Sequence, residues 1–145
     1  MLIRKASPVD STRLAQLASR LWPHHTPAEL EPEFATLIVS PEAACFLAFD
    51  GDEAIGFAQC QLRHDYVEGT SSSPVGYLEG IFVLPEYRGQ GCARQLLNAC
   101  ERWAGEMGCR EFASDCELDN AASLAFHLKA GFTEVNRIIC FTKTL

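Results

Sequence analysis

The sequence has 145 residues, 48% hydrophobic and 21% charged, which suits a folded domain with its own core and excludes an extended disordered chain. Twelve basic against nineteen acidic residues leave a formal net charge of −7, so the basic face that a nucleic-acid partner needs is missing, while a cationic ligand is permitted. No apolar run approaches the roughly 20 residues that span a bilayer, and the segment Met1 to Ala6 lacks a signal-peptide core, so a cytoplasmic protein with no membrane partner is expected.

Residues 1–6 read as a short strand. Ser7-Pro8-Val9-Asp10 has the form of a helix start, with a capping serine, proline at the first helical position and an acid in the first turn. Leu14, Leu17, Ala18 and Leu21 then recur at helical spacing. Thr26-Pro27-Ala28-Glu29 opens a second helix, with Leu30, Phe34, Leu37 and Ile38 as its buried stripe. Residues 43–49 and 54–62 read as strands around the hairpin signal Asp50-Gly51-Asp52. Residues 64–76 form a polar loop, and residues 77–84 a strand that stops at Pro85. The turn Gly89 to Gly91 leads into a helix whose buried face is Leu96, Leu97, Cys100, Trp103, Ala104 and Met107, ended by Gly108. Residues 111–115 read as a short strand. Residues 120–129 form a helix with Leu124, Ala125 and Leu128 inward, and residues 132–144 make one or two last strands. The order predicts a mixed α/β (α+β) domain over residues 1–145, with a right-handed parallel crossover joining strands 77–84 and 111–115.

The seven cysteines (Cys45, Cys60, Cys92, Cys100, Cys109, Cys116 and Cys140) are odd in number and show no Cys-x-x-Cys spacing. They are expected to be reduced, mostly small core hydrophobes, with no metal site and no disulfide framework.

The stretch from Leu78 to Leu97 carries the chemistry. An apolar strand enters a glycine-rich turn that opens a helix, so free backbone N–H groups and a positive dipole end meet beside Arg88 and Arg94. This is the pattern of a pyrophosphate cradle. The Gly-Lys-Ser/Thr of a P-loop is absent, and G-x-G-x-x-G fails at Arg94. The alternative is a turn that merely joins strand to helix.

Arg88-Gly89-Gln90-Gly91-Cys92-Ala93 resembles the Q/R-x-x-G-x-G/A signature of the GNAT acetyltransferase superfamily. The run Asn120-Ala121-Ala122-Ser123-Leu124-Ala125-Phe126-His127-Leu128-Lys129-Ala130-Gly131-Phe132 is similar to the family's second motif. The resemblance implies the GNAT fold, a central mixed and mostly antiparallel sheet flanked by helices, whose fourth and fifth strands splay to admit acetyl-CoA. It implies that backbone groups of Ile81, Phe82 and Val83 pair with the pantetheine arm. Arg88, Gly89, Gln90, Gly91, Cys92, Ala93 and Arg94 would hold the pyrophosphate, and Asn120 the cosubstrate nearer its reactive end. His127 stands where many relatives carry the tyrosine that protonates the leaving thiolate. Histidine can donate a proton; the alternative is an ordinary helix residue.

The whole chain is similar to the short type I aminoglycoside 6'-N-acetyltransferases, through Arg20-Leu21-Trp22-Pro23, the runs from Arg63 to Thr70 and from Ser73 to Ile81, and Glu111 to Asp115. The resemblance implies acetyl transfer from acetyl-CoA to the 6'-amine of aminoglycoside antibiotics, a role in resistance, and a homodimer. It makes Trp22, Tyr66, Glu79 and Asp115 substrate contacts. Asn136 stands where the family often has an acid, which bears on the preference among drugs. The residue chemistry agrees, since a polycation with sugar rings suits carboxylates and an aromatic face. Those are Asp65, Glu68, Glu79, Asp115, Glu117 and Asp119 with Trp22, Tyr66 and Tyr77. Glu79 interrupts an apolar strand, where a carboxylate is costly without a partner. Glu79 or Asp115 is the expected base, and a backbone N–H near Ile81 to Val83 the expected oxyanion donor. Cys116 adjoins the site, but no Cys–His pairing can be read from the chain. Two alternatives stand beside this reading: a GNAT enzyme for another small amine or a protein N-terminus, and an acyl-CoA-binding sensor without turnover.

Overall fold

A fully buried carboxylate organises the N-terminal part of the chain, which the computed structural model describes over all of residues 1–145. Strand β1 (Leu2–Lys5) is followed by a single 3-10 turn at Pro8–Asp10 and helix α1 (Ser11–Leu21). Asp10 receives Nη1 and Nη2 of Arg4 at 2.7 and 3.0 Å and the backbone N–H of Ser7 at 2.8 Å. The expected helix start at Ser7 is therefore a capped 3-10 turn, and α1 begins at Ser11. Helix α1 buries Leu14, Ala15, Leu17 and Ala18. Helix α2 (Pro27–Val39) starts where Thr26 accepts from the Glu29 N–H, and it buries Leu30 and Phe34.

Strands β2 (Ala43–Asp50) and β3 (Glu53–Arg63) form the expected hairpin, and β4 (Val75–Val83) follows the polar loop. Helix α3 (Cys92–Glu106), the three-residue strand β5 (Phe112–Ser114) and helix α4 (Ala121–Lys129) complete the order. The sheet order is β1-β2-β3-β4-β5, antiparallel throughout except for the parallel pair β4–β5. The main core holds 26 buried residues, including Phe34 and Phe57 on one side and Leu96, Leu97 and Cys100 of α3. Cys45, Cys60, Cys92 and Cys100 are buried and free, as small apolar side chains would be.

Met107, expected on the buried face of α3, is 40% exposed just past the end of that helix. Two larger features also differ from the expectation. Helix α4 turns Phe126 and His127 inward, while Ala125 is exposed and Leu128 is 51% exposed. The reason is its docking: Phe126 packs on the main core and His127 on Phe132, so the Leu128 edge faces outward. The last strands over residues 132–144 do not form within one chain. No backbone–backbone hydrogen bond is made beyond the Phe132 N–H, which reaches His127 O at 3.0 Å. A strand exists only with a partner edge, and nothing in the same chain pairs with this segment.

Candidate active site

The pairing of β4 with β5 is short, and that creates the site. Gly76, Tyr77 and Leu78 pair with Phe112, Ala113 and Ser114, and the ladder then ends. Further along β4, Ile81, Phe82 and Val83 keep their partners Ala58, Phe57 and Gly56 on β3, but no strand lies on the other side. Apart from the Val83 carbonyl, which accepts from Arg88, their outward polar groups have no strand partner, and an extended ligand can add there as a strand would.

Beyond Val83 the chain turns into α3. Gly89 and Gly91 have φ of +78° and +80°, a left-handed conformation that glycine adopts without strain. A Cβ built on either glycine would meet nothing within 4 Å, so both backbones face open space. Gly91 caps α3, and the first-turn N–H groups of Cys92, Ala93 and Arg94 have no acceptor within the helix. Arg88 is held toward this turn by its Nε–H, which donates to Val83 O at 2.9 Å. Arg94 reaches Lys129 O at 3.4 Å and ties the turn to the end of α4. Gln90 is exposed on the turn. Arg88, Gly89, Gly91, Cys92, Ala93 and Arg94 border an open cleft of about 320 Å³, closed on the α4 side by Phe126, Lys129 and Ala130. Donors, positive dipole and two arginines fit a pyrophosphate group.

The second half of the site grows from an irregularity in β4. Gln59 pairs with Gly80 and Cys60 with Leu78, which leaves Glu79 as the extra residue of a bulge. The bulge turns Glu79 away from the apolar core, and its side chain is 14% exposed. Arg63 forks onto it, with Nη2 2.9 Å from Oε2 and closer still to Oε1. The same guanidinium lies over the Tyr77 ring, 3.4 Å from its centroid. The Tyr77 hydroxyl in turn donates to Asp115 in a very short hydrogen bond. Burial, and then the hydrogen bond to Asp115, push the Tyr77 phenol well above its ordinary range, so it remains a donor. Glu79, Arg63, Tyr77 and Asp115 are thus one connected group where β4 and β5 part. Trp22 closes the neighbouring side: a Cβ on Gly80 would come within 2.7 Å of its ring, so only glycine admits this approach.

Tyr66 and Asn136 lie apart from that group. Tyr66 is 76% exposed, and its oxygen accepts the Gly69 N–H at 3.3 Å. Asn136 donates to Glu68 at 3.0 Å, and Val135 packs on Gly69. Both belong to the contact between the polar loop and the C-terminal segment. Asn120 uses its side-chain oxygen to cap α4 through the Ser123 N–H at 3.1 Å. His127 Nε2 lies 2.8 Å from Ser114 Oγ, and its Nδ1 lies 2.7 Å from Ser123 O.

Sequence reasoning did not assign Arg63, Ser114 or the structural role of Tyr77. The signal for Arg63 was present, because a carboxylate inside an apolar strand demands a cation. Its identity depends on cross-strand register and on the bulge, which are not local properties.

A cradle at a helix start, set beside splayed parallel strands at the edge of a mixed sheet, defines an N-acetyltransferase fold. The sequence profile of the acetyltransferase (GNAT) family matches residues 12–132, and the chain belongs to that family. It is 44% identical over 145 residues to an aminoglycoside N(6')-acetyltransferase type 1 from Stenotrophomonas maltophilia, covering 99% of this chain and 93% of that protein. It is 43% identical over 143 residues to one from Salmonella typhimurium, covering 99% of each. Among solved structures, AAC(6')-Iy in complex with the bisubstrate analogue CoA-S-monomethyl-acetylneamine superposes with a TM-score of 0.94 at 40% identity, covering 99% of this chain and 98% of that one. AAC(6')-Ih from Acinetobacter baumannii superposes with a TM-score of 0.91 at 40% identity, covering 99% and 98%.

Proposed function

We propose that the protein transfers the acetyl group of acetyl-CoA to the 6'-amine of aminoglycosides, and that it serves in resistance to them. The observation that carries this reading is the Glu79–Arg63–Tyr77–Asp115 group at the mouth of the β4–β5 splay. It offers two fixed carboxylates to a polycation next to a free strand edge and a phosphate cradle. The alignment over nearly the whole length with aminoglycoside N(6')-acetyltransferases supports it.

Acetyl-CoA supplies an acetyl group already activated as a thioester. Gly89, Gln90, Gly91, Cys92, Ala93 and Arg94, with Arg88, hold its pyrophosphate, and the free edge of Ile81, Phe82 and Val83 holds its arm. Asn120, at the start of α4, binds the cosubstrate nearer its reactive end. On the substrate side, Glu79 and Asp115 bind ammonium groups, and Trp22 presents an aromatic face beside Gly80. Tyr66 acts from the outer loop, and Asn136 from the C-terminal segment that contacts it. An amine attacks only after its ammonium has lost a proton; Glu79 or Asp115 accepts that proton at a carboxylate oxygen, a contribution of about 10²–10⁴-fold. A backbone N–H on the free edge of β4 donates to the developing oxyanion, worth on the order of 3 kcal/mol. His127 serves the departing thiolate.

Residues 1–145 work as one acetyltransferase domain. We place it in the cytoplasm, since its seven cysteines are all free, as a reducing compartment keeps them. No helix is long and apolar enough to cross a membrane. A homodimer accounts for the C-terminal segment, where Ile138, Ile139 and Phe141 are 72%, 81% and 90% exposed and β-favouring residues lack a partner strand.

Thiol release from acetyl-CoA against a panel of amines tests the reading. Turnover is expected with aminoglycosides that carry a 6'-amine and not with an analogue that carries a 6'-hydroxyl. Acetylation mapped by NMR to another ring amine would remove the regiochemistry. Turnover confined to polyamines or peptides would point to another small-amine or N-terminal acetyltransferase. Acetyl-CoA binding without thiol release from any amine would point to a sensor.

A further inference from the structure

His127 occupies the place from which the resemblance expects a direct proton donor, but its ring is committed at both ends. Nδ1 lies 2.7 Å from Ser123 O, and a carbonyl oxygen only accepts, so Nδ1 carries the hydrogen. Ser123 Oγ, 3.3 Å from the same nitrogen, can accept from it as well. In the neutral ring Nε2 is then an acceptor, and the group 2.8 Å from it is the Ser114 hydroxyl, which donates. The ring is further fixed by Phe126 and Phe132, with centroids 5.7 and 5.1 Å away. Ser114 is the last residue of β5 paired with β4, opposite Leu78, and stands where the splay opens. A hydroxyl therefore lies between the imidazole and the opening.

We propose that Ser114 is the group that protonates the leaving thiolate, with His127 as the positioning residue that resupplies its proton. The proposal rests on the acetyltransferase reading above. When Nε2 takes a proton from solvent, it changes from acceptor to donor toward Ser114 Oγ, and the serine hydrogen is released to point into the splay. As the C–S bond of the thioester breaks, its electron pair stays on sulfur. The Ser114 O–H bond breaks and an S–H bond forms, while the Nε2–H proton of His127 passes to Ser114 Oγ. The serine ends neutral and the imidazole neutral, ready for another proton from solvent. The imidazole is shorter than the tyrosine it replaces in the family pattern, and the serine hydroxyl extends its reach.

The free enzyme provides the first test. Nitrogen-15 NMR of His127 is expected to show a protonated Nδ1 and a hydrogen-bonded, unprotonated Nε2, and Ser114→Ala should move the Nε2 resonance and leave Nδ1 in place. Observation of the Nε2–H tautomer, or an Nε2 resonance indifferent to Ser114→Ala, would overturn the proposal. In turnover, Ser114→Ala should lower kcat about 10²-fold with KM for acetyl-CoA unchanged, and Ser114→Thr, which keeps the hydroxyl, should retain most of the rate. Ser114→Ala combined with His127→Phe should lose no more than the worse single variant, because the two act as one unit. Multiplicative losses, or a Ser114→Ala enzyme at wild-type kcat, would sink the relay alone. A wild-type enzyme that releases no thiol with any amine would remove the functional reading and the relay together.

Discussion

The guanidinium of Arg63 lies 3.4 Å from the centre of the Tyr77 ring while its Nη2 lies 2.9 Å from Glu79 Oε2. One cation thereby sets the position of two site residues, and through the Tyr77 hydroxyl it reaches a third, Asp115. Its pair with Glu79 is of the charge-assisted kind that an ammonium group makes with a carboxylate.

Glu79→Gln keeps the shape of the side chain and removes its charge and basicity. Turnover with kanamycin or tobramycin is expected to fall about 10²-fold, with acetyl-CoA affinity unchanged by calorimetry. Tyr77→Phe, which leaves Asp115 without its donor, should give a smaller loss. If Glu79→Gln and Asp115→Asn both keep the wild-type rate between about pH 6 and about pH 9, neither carboxylate is the base.

Gly91→Glu tests the cradle. At a φ of +80° any side chain is strained, and a Cβ there points into open space where phosphate must approach. The added carboxylate sets a negative charge against the pyrophosphate at a helix start. Acetyl-CoA affinity should collapse while the far-ultraviolet circular dichroism stays native. Unchanged affinity in the folded variant would remove these residues from the cosubstrate site.

Acid stability should report on Asp10. The Arg4 hydrogen bonds, helped by the Ser7 N–H, lower its pKa to about 2, below the 3.9 or so of an unfolded aspartate. The unfolded chain binds the proton first as pH drops, so the stabilisation is complete above about pH 4 and is lost as pH falls through about 2. The shift corresponds to about 2–3 kcal/mol. Asp10→Asn should lower Tm at neutral pH and flatten the acid limb of the stability curve. An unaltered acid limb would show that Asp10 does not govern it.

Local features of this fold were legible in the sequence, and features that depend on pairing were not. The cradle, the capping of α2 by Thr26 and the β2–β3 hairpin each lie within a few consecutive residues, where spacing and turn chemistry suffice. The need of Glu79 for a partner was also readable, yet Arg63 becomes that partner only because β3 runs alongside β4 and a bulge rotates Glu79 toward it. Ser114 gains a partner only because the fold sets His127, 13 positions later, against it. The inward face of α4 does not follow from apolarity, since Leu128 is more apolar than His127, whereas docking against Phe132 decides the orientation.

The C-terminal segment yields the last prediction. Residues 135–141 read Val-Asn-Arg-Ile-Ile-Cys-Phe, rich in β-favouring side chains, yet within one chain they make no backbone–backbone hydrogen bond. Ile139 and Phe141 stand two apart and share one face of any strand they enter, with Ile138 and Cys140 on the other. Exposed on both faces, such a run is satisfied by pairing with an edge of a second copy, which removes apolar surface from water at roughly 25 cal/mol per Å² and supplies the missing hydrogen bonds. Light scattering should therefore give a mass about twice that of the 16.0 kDa chain. The double substitution Ile139→Asp with Phe141→Asp should reduce it to a single chain, since a carboxylate buried in such an interface is costly. Because Asn136 and Val135 brace Glu68 and Gly69 of the polar loop, the monomeric variant should also show a raised KM for the aminoglycoside with little change in KM for acetyl-CoA. A wild-type mass of one chain at micromolar concentration, or a dimer that survives both substitutions, would assign the association to another surface or to none.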